Sequence, residues 1–364
     1  MVLSEKSRKH VDSCRFCWMC HHICPVGNAT GHERSTARAR ALGISLVCRG
    51  ALTVEDIAEN LYECAGCGGC RNVCVTGWDP VAFTKEARLQ TAMDGRLPPY
   101  IQKMVEACLT AGNAYGLTET DGELQKAIAA HREKTDTLLL LGTDAVFRAP
   151  EQAMLAIRVL EKAGIPFTVA EKEPQSGAEL DFLIGAADET KKQMETCAAL
   201  LNTFKTAVLY DPDDAKAMMQ TAREYGIALT CRAVPYPVFA AELFRSGALR
   251  LKKTGRRAAL QDPFQLARDL NETESARELL CACAEPEELL LHGKETVWAG
   301  SLLMAEYLPD VMEKVAARRI FNAESVGVKT LVTASVSEYA CLRAVKQDKV
   351  EILSLEQLLL EAAE

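Results

Sequence analysis

CRFCWMCHHICP, residues 14–25, places four cysteines within eleven positions and closes on a proline. The C-x2-C-x2-C-x3-C spacing returns in CAGCGGCRNVC, residues 64–74, fifty positions later, so the chain opens with an internal repeat. Three thiolates at this spacing wrap a turn whose backbone N–H groups point at inorganic sulfide, and one short loop thereby holds three irons of a cube. The fourth cysteine lies too far along to complete that cube, and in bacterial two-cluster patterns it ligates the other one. The reading is therefore crossed. Cys14, Cys17, Cys20 and Cys74 would hold one [4Fe–4S] cluster, and Cys64, Cys67, Cys70 and Cys24 the second. Zinc would call for C-x2-C pairs set further apart, with no third cysteine in step.

The remaining seven of the fifteen cysteines (Cys48, Cys108, Cys197, Cys231, Cys281, Cys283, Cys341) are scattered and read as small buried hydrophobes, with Cys281 and Cys283 the one close pair. Disulfides are not expected of a cysteine set concentrated for metal. At 364 residues and 48% hydrophobic, the chain is long enough for two or three domains with a large core. A net charge of −8 offers nucleic acid no general attraction, and the basic groups Arg34/Arg38/Arg40 and Lys252/Lys253/Arg256/Arg257 read as solvated faces. MVLSEKSRKH has no leader pattern and no apolar run reaches the roughly 18 residues of a membrane span. The expected setting is cytoplasmic, without an integral membrane segment.

Between and after the blocks the pattern is helical. In TVEDIAENLYECAGCG, Thr53 is the expected N-cap with Asp56 three positions on, and Val54, Ile57, Ala58 and Leu61 share a face. PVAFTKEARLQTAMDG and PPYIQKMVEACLTAG continue the helical period, the latter as a packed helix. Residues 1–115 thus read as an α-helical ferredoxin domain. Ala65, Gly66, Gly68 and Gly69 let backbone approach the second site closely. Val75 stands where Pro25 closes the first block, and His21 and His22 read as bystanders because four thiolates per cluster are already present. Beyond this domain, apolar runs alternate with helical stretches: TDTLLLLG, IPFTVA, DFLIGA, TAVLYD and IALTCR, then RRAALQDP, EELLLHG, KTLVTAS and VEILS are the expected strands. The fold class is α+β multidomain, with two similar α/β halves at 130–252 and 253–364, parallel sheets, and LKKTGRR as the seam.

This order of parts resembles the iron–sulfur subunits related to heterodisulfide reductase and to the glycolate oxidase iron–sulfur subunit, a family with two [4Fe–4S] clusters and C-terminal CCG halves. The resemblance implies paired cysteines that hold noncubane clusters in each half. Here Gln175 and Ser176 precede Gly177, YDPDD occupies the place of C-P-x-C, Phe264 replaces a cysteine in QDPFQLAR, Trp298 and Ala299 precede Gly300, and Ser335 and Glu338 fill the last pair. No Cys-Cys pair occurs anywhere in the chain. Two [4Fe–4S] clusters and no noncubane cluster are expected, since these replacements offer iron no soft ligand.

No G-x-G-x-x-G follows an expected strand, so flavin is expected only in a partner. The resemblance implies an electron-transfer subunit that relays single electrons between a flavin-dependent dehydrogenase or reductase and a second carrier, such as a ferredoxin or electron-transfer flavoprotein. Two other classes stay open: an oxidoreductase whose α/β halves turn over a small substrate with Asp211, Asp213, Asp262 or Glu338, and a structural or sensor iron–sulfur protein.

Overall fold

A computed structural model describes Met1 and residues 3–364. The first 130 residues are helical, and the two sheets that follow are separate, four-stranded and parallel. The first contains β1 (Thr137–Leu140), β2 (Thr168–Val169), β3 (Thr206–Leu209) and β4 (Arg232–Pro235) in the order β2-β1-β3-β4. The second contains β5 (Arg257–Gln261), β6 (Glu285–Glu287), β7 (Thr330–Thr333) and β8 (Glu351–Ser354) in the order β6-β5-β7-β8. The same order twice makes the halves topological copies. Registers run Leu138 opposite Ala207 and Val208 opposite Val234 in one sheet, and Leu260 opposite Val332 and Val332 opposite Leu353 in the other.

The inner strands β1, β3, β5 and β7 are buried on both faces, which is why their centres are apolar at successive positions. Three expected strands do not stand as read. DFLIGA belongs to the helix Ala178–Ile184, where Leu180, Leu183 and Ile184 fall three and one positions apart on a buried helical face. IALTCR precedes its strand, and pairing begins only at Arg232. EELLLHG follows its strand, because β6 is a short polar edge ending at Glu287. The edge strands β4 and β6 each carry exposed or polar residues, so their apolar signal is weak.

One core joins the halves, with Leu139, Val208 and Val234 of the first and Leu260, Val332 and Leu355 of the second in a single cluster. The end of the chain closes over the expected seam, where Lys252 donates to the Ala362 carbonyl at 2.9 Å. The helix Glu55–Tyr62 is capped by a reciprocal pair, as Thr53 Oγ1 accepts from the Asp56 N–H while the Asp56 carboxylate accepts from the Thr53 N–H at 2.8 Å. The helix Pro99–Thr110 buries Ile101, Met104 and Cys108 and is a packed helix. Arg40 departs from the solvated reading: it is 2% exposed and donates to the Asn60 and Ser35 carbonyls. No helix among the described residues is long and apolar enough to cross a membrane.

Candidate iron–sulfur centre and adjoining cavity

The two cysteine blocks adopt the same backbone. Phe16 (φ 57°) and Trp18 (φ 65°) of the first are left-handed, as are Gly66 (φ 66°) and Gly68 (φ 70°) at the matching positions of the second. Alternation of left- and right-handed residues turns successive N–H groups to the inside of the loop, the concave arrangement that favours anions and sulfide. Phe16 N–H lies 3.4 Å from Cys14 Sγ, and Gly66 N–H lies 3.4 Å from Cys64 Sγ. In both blocks the third cysteine sits in a short helix, Met19–Ile23 or Gly69–Asn72, directed inward by that turn.

Other thiols crowd Cys20 on one side and Cys24, Cys67 and Cys70 on the other. Burial first, and then the negative charges of Cys14, Cys17 and Cys74, push Cys20 up to about 11. Cys24 is pushed up to about 12 by burial, with Cys67 and Cys64 adding to the rise and Arg40 opposing it. Cys70 is raised well above the usual thiol range by burial and by Cys67, Cys64 and Cys24. Burial likewise raises Cys67, whereas Arg40 and Arg88 outweigh burial at Cys64 and lower it. Cys74 comes out lowered, since hydrogen bonds from Thr76 and Trp78 outweigh burial. Thiols crowded in this way release protons when a metal group binds them. Among the described residues no three His, Cys, Asp or Glu side chains converge on a single ion. Thiols carried on loops lined with N–H groups suit the corners of an iron–sulfur cube better than a single ion.

The sets differ in surroundings. Cys17 is exposed, and Phe16, Trp18, Met19 and Val75 around it are 62%, 50%, 44% and 85% exposed. The Arg38 guanidinium lies 4.0 Å from the Trp18 ring centre. The second block instead lies between the two α/β halves. Arg88 donates to the carbonyls of Leu61 (2.8 Å), Cys64 (2.7 Å) and Phe182 (2.7 Å), joining the block to the first half. Arg268 donates to the carbonyls of Cys67 (2.6 Å) and Lys294 (2.8 Å) and to that of Thr296, joining it to the second half. Arg71 pairs with Asp269 at 2.9 Å. Neither Arg88 nor Arg268 stood out in the sequence, although each sits where a helical face turns apolar. Cys281 is exposed and Cys283 buried, so that pair does not converge, and His21 lies 3.2 Å from Glu33.

Beside the second block is a cavity of about 70 Å³. It lies at the carboxyl ends of the strands, where the order of the first sheet reverses between β1 and β3, a position where α/β sheets bind ligands. Asp144 follows β1, Ser176 and Glu179 follow β2, and Asp211, Asp213 and Asp214 follow β3, while Phe264 and Trp298 of the second half and Ala65 of the cysteine block close it. The equivalent point of the second sheet is filled. There Glu338 accepts from Gln261 Nε2 (3.2 Å) and the Ala299 N–H (3.1 Å), Arg319 holds Gln261 and the Leu291 carbonyl, and Asp262 accepts from Arg277 (2.8 Å) and the Gly293 N–H (2.7 Å). Of the four acids considered for substrate chemistry, Asp211 and Asp213 therefore line the cavity, whereas Asp262 and Glu338 are engaged in this network. Glu179 and Asp144 went unremarked in the sequence, and Asp214 was noted only as part of YDPDD.

Residues 10–78 match the family described as the 4Fe-4S dicluster domain. No curated protein matches the chain. Among solved structures, a hypothetical protein from Helicobacter pylori shares the fold over 99% of this chain and 73% of its own, at 11% identity and TM-score 0.51. An aspartate racemase from Picrophilus torridus aligns over 61% of this chain and 90% of its own at 7% identity, and its TM-score of 0.28 carries no argument. The segment that bears both cysteine blocks is thus similar to a 4Fe-4S dicluster domain, and the chain is an iron–sulfur protein.

Proposed function

We propose that this chain is the electron-transfer subunit of an oxidoreductase complex, relaying single electrons between a flavin-dependent partner and a second carrier. The observation that carries the reading is the contrast between the two cysteine sets: one opens to the surface at Cys17 and the other lies between the α/β halves. When bound, [4Fe–4S] clusters supply one-electron carriers whose potentials span roughly −700 to +450 mV. Cys14, Cys17, Cys20 and Cys74 would hold the outer one, and Cys24, Cys64, Cys67 and Cys70 the inner one. Phe16, Trp18, Met19 and Val75 give a docking partner an apolar rim around the outer set, which suits close approach of a flavin domain. Arg88 and Arg268 fix the loop of the inner set through its carbonyls.

Anaerobic reconstitution tests the cofactor. About eight irons per chain, two clusters of four, with a coupled two-cluster spectrum on reduction are expected; four irons or bound zinc would overturn the assignment. Cys74→Ser should disturb the cluster whose other ligands precede residue 25, and Cys24→Ser the one built on residues 64–70. Loss of the same cluster in both variants would remove the crossing. The partner is tested by native purification, where co-migration of a flavoprotein that reduces or oxidises the clusters is the expected result.

A further inference from the structure

The cavity beside the inner cysteine block has an imbalance that the relay does not use. Asp144, Asp211, Asp213, Asp214 and Glu179 all face it. Lys216 pairs with Asp269 at 3.1 Å and Arg148 with Glu306, while Asp144 accepts from Tyr115 Oη and Ser337 Oγ and Asp213 from Gln265 Nε2 at 2.8 Å, so neutral donors and not cations meet these carboxylates. Asp211 and Asp214 are 5% and 7% exposed. Asp214 accepts from Ser176 Oγ through Oδ1, and Asp211 accepts from the Asp213 N–H at 2.8 Å through Oδ1. Oε1 of Glu179 is closed off from solvent and has no hydrogen-bond partner. Its other oxygen accepts from the Ala114 N–H at 3.0 Å. A buried carboxylate oxygen without a donor is costly, and natural interiors rarely leave one. Asp144, Asp213, Asp214 and Glu179 fall in the first turns of short helices, which accounts for each singly. It does not account for three separate loops turning carboxylates onto one cavity.

We propose that this cavity binds a small organic cation, an ammonium or amidinium compound, between its carboxylates and the aromatic faces of Phe264 and Trp298. Two independent features select that chemistry. Carboxylates neutralise and hydrogen-bond a cation, and aromatic faces attract one through their quadrupole, most strongly for alkylated ammonium groups. The fold already seats one ammonium in this way, since Lys216 Nζ lies 5.4 Å from the Phe264 ring centre. A bare metal ion fits less well, because no three acidic side chains among the described residues converge on one point. Without a ligand, burial pushes Asp214 up to about 7 and Glu179 up to about 8. Asp211 is raised well above the usual carboxylate range by burial and by Asp214, Asp144 and Asp213. A bound cation would reverse that cost.

The inference goes beyond the relay and is independent of it, since it rests on the α/β loops and not on iron. The test uses the reconstituted full-length protein, with calorimetry and thermal shift against methylammonium, guanidinium and tetramethylammonium chlorides. Controls are tert-butanol as a neutral isostere and magnesium chloride. Binding of at least one organic cation, with no response to tert-butanol, is expected. Asp214→Asn and Glu179→Gln should each weaken binding tenfold or more while leaving the iron content unchanged. Asp214→Asn should also raise the melting temperature without ligand, because a purely structural carboxylate would lower it when replaced. Equal response to tert-butanol, response to magnesium alone, or no response to any probe would overturn the proposal. So would both variants folding and binding as the parent does. Failure to take up iron would count against the relay and leave these outcomes readable in the apoprotein.

Discussion

Phe16 and Trp18 occupy a backbone region that disfavours side chains, at the positions where the second cysteine block uses glycine. Each costs of order 1 kcal/mol in that conformation, and each is also left half or more exposed, so neither strain nor burial explains the choice. The docking rim proposed above would explain it, beside the Arg38 guanidinium that lies over both rings. Phe16→Gly and Trp18→Gly are therefore expected to leave iron content intact, to hold or raise chemical stability by up to about 1 kcal/mol apiece, and to slow electron exchange with a protein partner but not with a small mediator. Equal slowing with both would place the defect in the cluster itself. A second residue gives a pH dependence. Burial, above all, pushes Glu338 up to about 8, so the folded state holds its proton more tightly than the unfolded chain does. The stability contributed by that proton is full below the ordinary carboxylate range and is lost as pH rises through about 8. The slope from one proton cannot exceed about 1.4 kcal/mol per pH unit. Glu338→Gln should flatten denaturant midpoints between pH 6 and 9, read against the parent protein.

At the scale of elements, what could be read from the sequence follows burial. The four inner strands announced themselves because both faces are covered, and the helices Pro150–Lys162 and Pro309–Ser325 because one face is. β4 and β6 were displaced by several residues because edge strands contribute few apolar positions, and β6 reads Glu-Pro-Glu. The run DFLIGA misled for a different reason: five apolar or small residues in a row fit a buried strand as well as one turn of a packed helix, and the helix wins because Tyr62 Oη donates to the Leu183 carbonyl at 2.8 Å and Arg88 to that of Phe182. Connections of this kind hold the inner cysteine block. Arg268→Met keeps the volume but removes every hydrogen bond to the carbonyls of Cys67, Lys294 and Thr296, charge-assisted bonds worth about 1.5–3 kcal/mol each before compensation. A melting temperature lower by several degrees and faster bleaching of the cluster absorbance in air are expected, with circular dichroism at low temperature unchanged.

For the whole molecule, the iron–sulfur character of the first segment was legible because cysteine spacing is local, and both blocks fall in the residues that match a 4Fe-4S dicluster domain. The acidic cavity was not. Its carboxylates come from Asp144, Glu179 and Asp211 to Asp214, on three loops separated by about thirty residues or more of helix and strand, and only the shared strand order brings those loops to one end of the sheet. Asp211 and Asp213 were visible within the stretch that stands in place of C-P-x-C, but Asp262 and Glu338 stood out equally, and sequence offers no way to tell an open switch point from one filled by Arg277 and Arg319. That difference between two copies of one topology is set by side chains far apart in the chain.

The enclosure of the second cysteine block also bears on the order of maturation. Cys64, Cys67 and Cys70 are fastened to both α/β halves through Arg88 and Arg268, whereas Cys17 faces solvent. On the proposed assignment, iron at the inner position is expected to load and exchange more slowly than iron at the outer one, where Cys17 is exposed. Scavenging systems would thus restore the outer centre after oxidative damage without unfolding the chain, and the inner centre more slowly. A chelator added to the folded holoprotein should draw off the outer irons in a first phase and the inner ones in a second phase whose rate follows global unfolding; a single phase would mean that the inner block opens on its own.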